Sequence, residues 1–292
     1  MTIKEILTNA KNPKNRKTLS RTVRWICQII FFIFFPSAFT SAFSGIKYIF
    51  TQFGLKQAVG LSAFITVLIS LCVYTIIFGR FFCGYACPFG TLGDFIREIY
   101  IFICKKRKKK AITINPKISK YLSFIKYIVL FVIVLLCFLG VYGNISGWSP
   151  WDVFSMITSG NIHFGKYILG VILLLAIMVG MVFADRFFCR FLCPMGAVFS
   201  LLPVLPFFKI RRNKDKCIKG CKACQKVCPS DLELPYESTW EQNGDCFQCG
   251  KCIDICPKKS CRGCVGNFRG NEIWFTIIRA ILLIGVMILA NV

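Results

Sequence analysis

The segment RFFCGYACPFG, residues 80–90, recurs 106 residues later as RFFCRFLCPMG, residues 186–196. We call these two segments the twin motifs. Each follows a long apolar run, so the chain places a cysteine pair at the end of each of two equivalent predicted membrane helices. The pairs are Cys83 with Cys87 and Cys189 with Cys193. Cysteine pairs repeated at equivalent positions indicate redox metal chemistry at a membrane surface.

The composition is that of an integral membrane protein. The chain has 292 residues, a mean hydropathy of +0.62 and 55% hydrophobic residues, which places it in the membrane class before any motif is considered. Its net charge is +24, but the basic residues crowd the segments between particular hydrophobic runs, as the positive-inside rule requires. No nucleic-acid partner is therefore expected.

Five hydrophobic segments approach the ~20 residues needed to cross a bilayer. Pro36 should kink the first segment without abolishing it. Arg279 lies within the fifth, which either spans the membrane or rests partly in the interface. The segments are 23–43, 58–78, 122–142, 167–187 and 273–291.

Counts of lysine and arginine predict the orientation of these segments. Residues 1–24 contain seven and residues 79–120 contain ten, whereas residues 44–57 contain two and residues 143–166 contain one. The N-terminus, both twin motifs and the cysteine-rich segment after them are therefore predicted to face the cytoplasm, with the spans in the lipid bilayer of the inner membrane. The basic run at 105–110 indicates contact with anionic lipid, and docking of an acidic electron carrier is the alternative.

Ten of the eighteen cysteines fall between residues 217 and 264, and eight of them form two runs typical of a ferredoxin. In such runs three closely spaced thiolates hold one [4Fe–4S] cluster, and the fourth cysteine, which precedes a proline, reaches the neighbouring cluster. The predicted ligands of one cluster are Cys217, Cys221, Cys224 and Cys256, and those of the other are Cys246, Cys249, Cys252 and Cys228. Two zinc sites are the alternative, but they would not need the Cys-Pro pair twice.

The remaining cysteines fit the pattern less well. The first run has three residues between Cys217 and Cys221, where the usual spacing is two, and Gly220 could absorb the extra residue in a turn. Cys261 and Cys264 are surplus to two clusters, so we expect spare or structural thiols, with ligation of a further centre as the alternative. Four isolated cysteines are expected to be packing residues; they are Cys27, Cys72, Cys104 and Cys137.

The twin motifs are predicted to bring four thiols together. Cysteines four residues apart share one face of a helix, and the prolines that follow them, Pro88 and Pro194, should end or redirect each helix. The four thiolates could hold one shared iron–sulfur centre, and three arginines nearby would compensate their charge; they are Arg80, Arg186 and Arg190. Helix-end packing, or reducible disulfides, are the alternatives.

The predicted fold is a membrane all-α domain of two repeated transmembrane helical hairpins plus a fifth helix, with a cytoplasmic two-cluster ferredoxin-like module of small α+β type. Repeats of the same topology are related by an axis along the membrane normal, so the two cysteine pairs would face each other. The predicted boundaries are 1–22 for the basic N-terminus, 23–208 for the transmembrane domain with hairpins in 23–110 and 118–208, 213–268 for the module and 273–292 for the C-terminal helix.

These marks resemble the NapH/NosR-type polyferredoxins, which are membrane iron–sulfur subunits associated with periplasmic nitrate reductase and nitrous-oxide respiration. The resemblance runs from the first span through Pro257 and rests on the two Cys-x3-Cys-Pro motifs and the paired ferredoxin runs. It implies an inner-membrane protein that passes electrons between the quinone pool, or a cytoplasmic donor, and an exported redox enzyme. Longer NosR-like members have an outward flavin-binding domain before the first span, so any flavin is expected here on a partner.

The sequence thus predicts an electron-transfer subunit without catalytic residues of its own. Electrons would move among two [4Fe–4S] clusters and a further centre at the twin motifs, and a quinone or an extracytoplasmic partner with flavin or haem would complete the path. A membrane redox sensor or assembly factor is the main alternative. A transporter is disfavoured because the spans contain almost no buried carboxylates. The single histidine, His163, is expected to be a solvated loop residue.

Overall fold

The computed structural model describes residues 13–112, 114–158, 160, 167–205, 207–218, 220–236, 243–265 and 268–290. His163 lies outside these residues. The membrane part comprises α1 (Pro13–Phe34), α2 (Ala38–Gly54), α3 (Ala63–Phe78), α4 (Pro88–Lys106), α5 (Pro116–Leu122), α6 (Ile125–Phe138), α7 (Pro150–Thr158), α8 (Ile168–Phe183) and α9 (Pro194–Leu201). The rest comprises β1 (Phe208–Arg212), α10 (Ala223–Lys226), α11 (Lys251–Ile255), β2 (Cys261–Val265), β3 (Phe268–Arg269) and α12 (Glu272–Leu289).

The first predicted span is bent into two helices. Helices α1 and α2 meet at an angle of 60° across a break that contains Pro36. Proline lacks the backbone N–H that would continue the helical hydrogen bonds, and its ring clashes with the preceding turn. The expected kink is therefore present, but it separates two helices and does not lie within a single span over 23–43.

Two described helical segments are long and apolar enough to cross a membrane, and the bent pair would make a third. The two segments are Lys117–Phe138, which contains α5 and α6, and Glu272–Leu289. Helices α3 and α8 occupy the second and fourth predicted spans, but each has 16 residues, short of the ~20 that a straight crossing needs. The helical membrane class is confirmed, with two or three spans by length where the sequence predicted five.

Helix α12 turns its arginine inward. The side chain of Arg279 is buried, and its guanidinium lies 3.6 Å from the ring centre of Phe208 and 4.4 Å from that of Phe81. Stacking on aromatic faces stabilises a cation away from water. Arg279, the charged residue within the fifth predicted span, therefore points towards the protein interior.

The cysteine-rich module contains a small antiparallel sheet in the order β1-β2-β3. Strand β1 pairs with β2 from Phe208 opposite Val265 to Arg212 opposite Cys261. All five residues of β1 are buried. The sheet thus begins at Phe208, before the predicted start of the module at residue 213, because residues 208–212 form its first strand.

One buried carboxylate joins the module to the helices. Asp94 on α4 forms ion pairs with Arg186 and with Lys251 of α11, the latter at 3.6 Å, and accepts a hydrogen bond of 2.8 Å from Gln28 on α1. These contacts connect α1, α4, the second twin motif and the module. An acidic group at this depth is costly unless it is paired and hydrogen-bonded, as this one is.

We predict that Asp94→Asn strongly destabilises the fold. The amide keeps the shape of the side chain but leaves Arg186 as a buried charge without its carboxylate, which costs about 3–5 kcal/mol. The measurement is the free energy of unfolding in detergent, followed by circular dichroism. Glu98→Gln is the matched control on the same helix, because Glu98 forms a solvent-exposed pair with Arg21 and exposed pairs contribute about 1 kcal/mol or less. Equal losses of unfolding free energy in Asp94→Asn and Glu98→Gln would contradict this role of Asp94.

Candidate functional site

The twin motifs form matching π-helical turns over Phe82–Ala86 and Phe188–Leu192. In each turn the second cysteine donates its backbone N–H five residues back: Cys87 to Phe82 O and Cys193 to Phe188 O, both at 2.9 Å. The expectation of regular α-helical spacing was wrong here, because the turn is wider by one residue. Such π turns occur frequently at functional sites.

The prolines act as expected. Pro88 and Pro194 are the first residues of α4 and α9, where the missing N–H is not needed. The Cys193 sulfur accepts a hydrogen bond of 3.2 Å from the backbone N–H of Gly196. A helix N-terminus favours negative charge and stabilises a thiolate.

The four cysteines of the twin motifs converge in the interior. Their exposed fractions are 4% for Cys83, 3% for Cys87, 2% for Cys189 and 2% for Cys193. All four belong to one buried cluster of residues, and Cys87 and Cys189, which come from different motifs, lie close enough for their thiols to interact. All four are free thiols. The two repeats thus contribute equally to one thiol cluster.

The arginine of each twin motif crosses to the other motif. Arg186 donates to the carbonyl oxygens of Cys83 and Gly84, the latter at 2.7 Å, and Arg80 donates to the carbonyl of Cys189 at 3.5 Å. Each arginine is 1% exposed. This exchange is what two repeats related by a two-fold axis would make.

The glycine that ends each motif makes room for this exchange. A Cβ at Gly90 would lie 3.1 Å from Nη1 of Arg186, and one at Gly196 would lie 3.0 Å from Nη2 of Arg80. Each Cβ would also lie 2.9 Å from the carbonyl oxygen of the first cysteine in its own motif. The arginine, the cysteines and the glycine of the repeated phrase therefore belong to one reciprocal unit. Arg190 does not share in it, because it pairs with Asp231 at 2.7 Å.

A loop of the module lies directly on the twin motifs. The ring of Phe247 is 3% exposed, and its centre lies 4.7 Å from the guanidinium carbon of Arg80 and 5.4 Å from that of Arg186. Arg80 also donates to Asp245 at 3.1 Å. A Cβ at Gly84 would lie 2.3 Å from the carbonyl oxygen of Phe247, so the two backbones touch. The sequence reasoning missed Phe247, whose signal is an aromatic residue between two predicted ligands.

One predicted ligand set is brought together completely. Its four cysteines line a single cavity: Cys228, Cys246, Cys249 and Cys252. Burial raises the pKa of the Cys228 thiol to about 11 and that of Cys246 to about 12. Thiolates are the metal-binding form, so metal must displace these protons, and loading should fall as the pH is lowered.

The other predicted set is brought together in part. Cys217, Cys221 and Cys224 line a second cavity of about 590 Å³, and Cys256 is not among its lining residues. Gly220 has φ = +77°, which a glycine adopts without strain, so the extra residue of the first run is taken up in a turn as expected.

Cys261 links the two parts of this second set. It is 3% exposed, and Cys224 and Cys256 both pack against the buried cluster of residues to which it belongs. The sequence indicated a spare thiol, and no spacing rule assigns it a ligand role. The pairing of β2 with β1 brings Cys261 next to Cys224 and Cys256. The spacing of the cysteines along the sequence does not show this pairing.

Among the described residues, no three cysteine, histidine or acidic side chains are arranged around a single metal ion. A cluster gives each of its irons one thiolate, so its ligands stand further apart than those of one ion.

Comparisons with known proteins agree with this chemistry. A family model described as a 4Fe-4S binding domain matches residues 59–110 and again residues 168–214, and one described as a 4Fe-4S dicluster domain matches residues 209–257. The first model therefore matches both twin motifs. No solved structure matches the chain.

Three related proteins illustrate the sequence similarities of the chain. The chain is 30% identical to the uncharacterized protein MJ0750 of Methanocaldococcus jannaschii, over 81% of this chain and 92% of the relative. It is 28% identical to the putative electron transport protein YccM of Escherichia coli, over 68% and 55%. It is also 28% identical to the ferredoxin-type protein NapH of Haemophilus influenzae, over 64% and 62%, so it spans less than two thirds of these two relatives. Together with the family models, these similarities show that the chain belongs to the NapH/NosR-type family of membrane 4Fe–4S polyferredoxins, which are iron–sulfur electron-transfer proteins.

Proposed function

We propose that this protein relays single electrons between a quinone pool, or a cytoplasmic donor, and an extracytoplasmic redox partner. That partner carries flavin or haem. The observation that supports this proposal best is the position of Phe247. This residue lies between two cysteines of a complete ligand set, and its ring packs on both arginines that cap the buried thiol cluster. Module and membrane site are therefore in direct contact.

The proposed ligands are those predicted from the spacing. Cys228, Cys246, Cys249 and Cys252 would hold one [4Fe–4S] cluster, a proposal that their common cavity supports. Cys217, Cys221, Cys224 and Cys256 would hold the other. When bound, such clusters take up and release one electron each.

The four cysteines of the twin motifs are proposed to hold a shared iron–sulfur centre. Arg80 and Arg186 keep two fixed positive charges beside these thiols, which favours thiolate ligands and an added electron. Buried phenylalanines around them, such as Phe82 and Phe188, exclude water. A low-dielectric surrounding strengthens these charge interactions.

The proposed orientation places the module, both twin motifs and the start of α1 on the cytoplasmic side. Arg24 on α1 pairs with Asp254 of α11 at 3.3 Å, so the basic N-terminal part of α1 and the module lie at the same end of the molecule. Basic residues are retained on the cytoplasmic side of membrane proteins.

Iron content tests the shared centre. Two [4Fe–4S] clusters account for about eight irons per chain, so wild-type protein purified without oxygen should contain more than eight. We expect Cys83→Ser/Cys189→Ser to reduce the content to about eight, measured with acid-labile sulfide and EPR. The control is Cys27→Ser/Cys72→Ser, which removes two half-buried cysteines outside the cluster. An unchanged iron content in the first variant would exclude the shared centre.

Phe247→Leu tests the contact between module and membrane site. Leucine stays apolar but loses the ring faces on which both guanidiniums pack, so we expect transfer between the two to slow several-fold while both module clusters still load. The measurement is the reoxidation rate of dithionite-reduced protein in the presence of a quinone, with EPR to count clusters.

Phe208→Leu is the matched control, because Phe208 is another buried phenylalanine of the module, packed on Arg279. Equal rates in wild type and Phe247→Leu would refute a role in transfer. Clusters that stay reduced in wild type while partner binding changes would favour the redox-sensor alternative.

Cys261→Ala tests the packing of this thiol beside Cys224 and Cys256. A hydrogen bond to a cluster sulfur raises the reduction potential, and the Cys261 thiol can donate one, so its removal should lower the midpoint potential of one cluster in an EPR-monitored titration. Cys264→Ala on the same strand should leave it unchanged. A loss of iron in Cys261→Ala would instead identify Cys261 as a ligand.

A further inference from the structure

The cavity lined by Cys217, Cys221 and Cys224 opens on a strongly basic surface. Four exposed lysines lie at or next to its lining residues in the sequence, on the loop before α10 and on α10 itself: Lys214, Lys216, Lys222 and Lys226. Lys214 and Lys222 line the cavity directly, together with Arg212. We call these four lysines the lysine collar.

Among the described residues that line the cavity, two acidic groups offset this charge. Glu233 also lines the cavity, but it is paired with Arg212 at 2.8 Å. Asp215 is the other acidic residue of the lining. Counted over the described residues, the collar therefore keeps a positive excess beside the cavity, since its four lysines outnumber Asp215.

Among the described residues, the cavity beside the collar is lined by the module alone, although Lys222 and Lys226 also line a neighbouring cavity with Lys117 and Lys120. Every described residue that lines the cavity beside the collar lies between Arg212 and Tyr236. The complete ligand set, by contrast, has Phe247 pressed against the twin motifs. The three cysteines that line the cavity beside the collar are half-buried. A protein that docks beside the collar would therefore come close to three of the thiols proposed to hold the second cluster.

We propose that the lysine collar binds an acidic, soluble electron-carrier protein. The proposal rests on the proposed function and names its partner on the cytoplasmic side. One electron leaves the reduced carrier and one is gained by the cluster held by Cys217, Cys221, Cys224 and Cys256; no bond is made or broken. A charged surface of this kind raises association rates by about 10- to 1,000-fold, and salt screens the effect.

The charge excess also fits an anionic membrane surface, to which juxtamembrane lysines are attracted. The position of the collar favours the protein partner, because Lys214 and Lys222 line a cavity that contains three predicted ligands. The basic run at 105–110 has no such cavity: none of its residues lines either cysteine cavity.

The test is charge reversal in the full-length protein in nanodiscs of neutral lipid. Lys214→Glu/Lys222→Glu reverses two lysines of the collar, and Lys109→Glu/Lys110→Glu makes the same change of charge in the basic run. The probe is a purified plant-type [2Fe–2S] ferredoxin of net negative charge, reduced beforehand and mixed by stopped flow. We expect its rate of cluster reduction to fall at least tenfold in the collar variant at low salt, and to change little in the control.

Reduced methyl viologen, a small cation, serves as the second donor. It should reduce both variants at least as fast as wild type, which shows that the clusters are present and competent. A ferredoxin rate unaffected by the collar variant, or lowered equally in both variants, would overturn the proposal. Failure of viologen to reduce wild-type clusters would instead contradict the proposed function.

Sedimentation with vesicles of phosphatidylglycerol tests the lipid explanation. We expect the collar variant, held in detergent, to bind these vesicles as well as wild type does. Loss of vesicle binding with an unchanged ferredoxin rate would assign the collar to lipid and overturn the proposal.

Discussion

Arg80 and Arg186 carry fixed positive charges into the interior of the helix bundle, where each side chain is 1% exposed. A charge in that position is unfavourable by many kcal/mol unless it is paired and hydrogen-bonded. Much of the surrounding structure meets this requirement. Carbonyl groups of the opposite twin motif accept from each guanidinium, Asp94 and Asp245 supply the counter-charges, and the ring of Phe247 covers both cations.

The same requirement couples the membrane part to the module. Asp245 and Phe247 both belong to the loop that carries Cys246 and Cys249, so neutralising the arginines positions this loop against the thiol cluster. A structure that needs the loop for its stability also keeps the neighbouring ligand set next to the membrane site. In the proposed relay, stability and electron transfer thus depend on one set of contacts.

The two cysteine cavities of the module differ in their surroundings. The cavity with Cys228, Cys246, Cys249 and Cys252 adjoins the twin motifs, whereas the cavity with Cys217, Cys221 and Cys224 opens among lysines. This division suits a relay with an inner and an outer terminus. Cys224 and Cys256, two members of the second predicted ligand set, pack against the buried cluster that contains Cys261, so the strand pairing that places Cys261 also affects that set.

Local features of this protein followed from the sequence alone. Ligand spacing and the repeat of the twin motif are properties of neighbouring residues, so the family, the iron–sulfur chemistry and the helical membrane class could be predicted from them. The lengths of the helices could not, because Pro36 and the π turns end helices within apolar runs that look continuous. Only the tertiary structure decided which residues meet across the repeat. These contacts join residues far apart in the chain: Arg80 and Arg186 each reach the opposite motif, Asp94 is buried among its partners, Phe247 packs on both arginines, and Cys261 lies near Cys224 and Cys256. Buried charges and donors take the partners that folding brings to them.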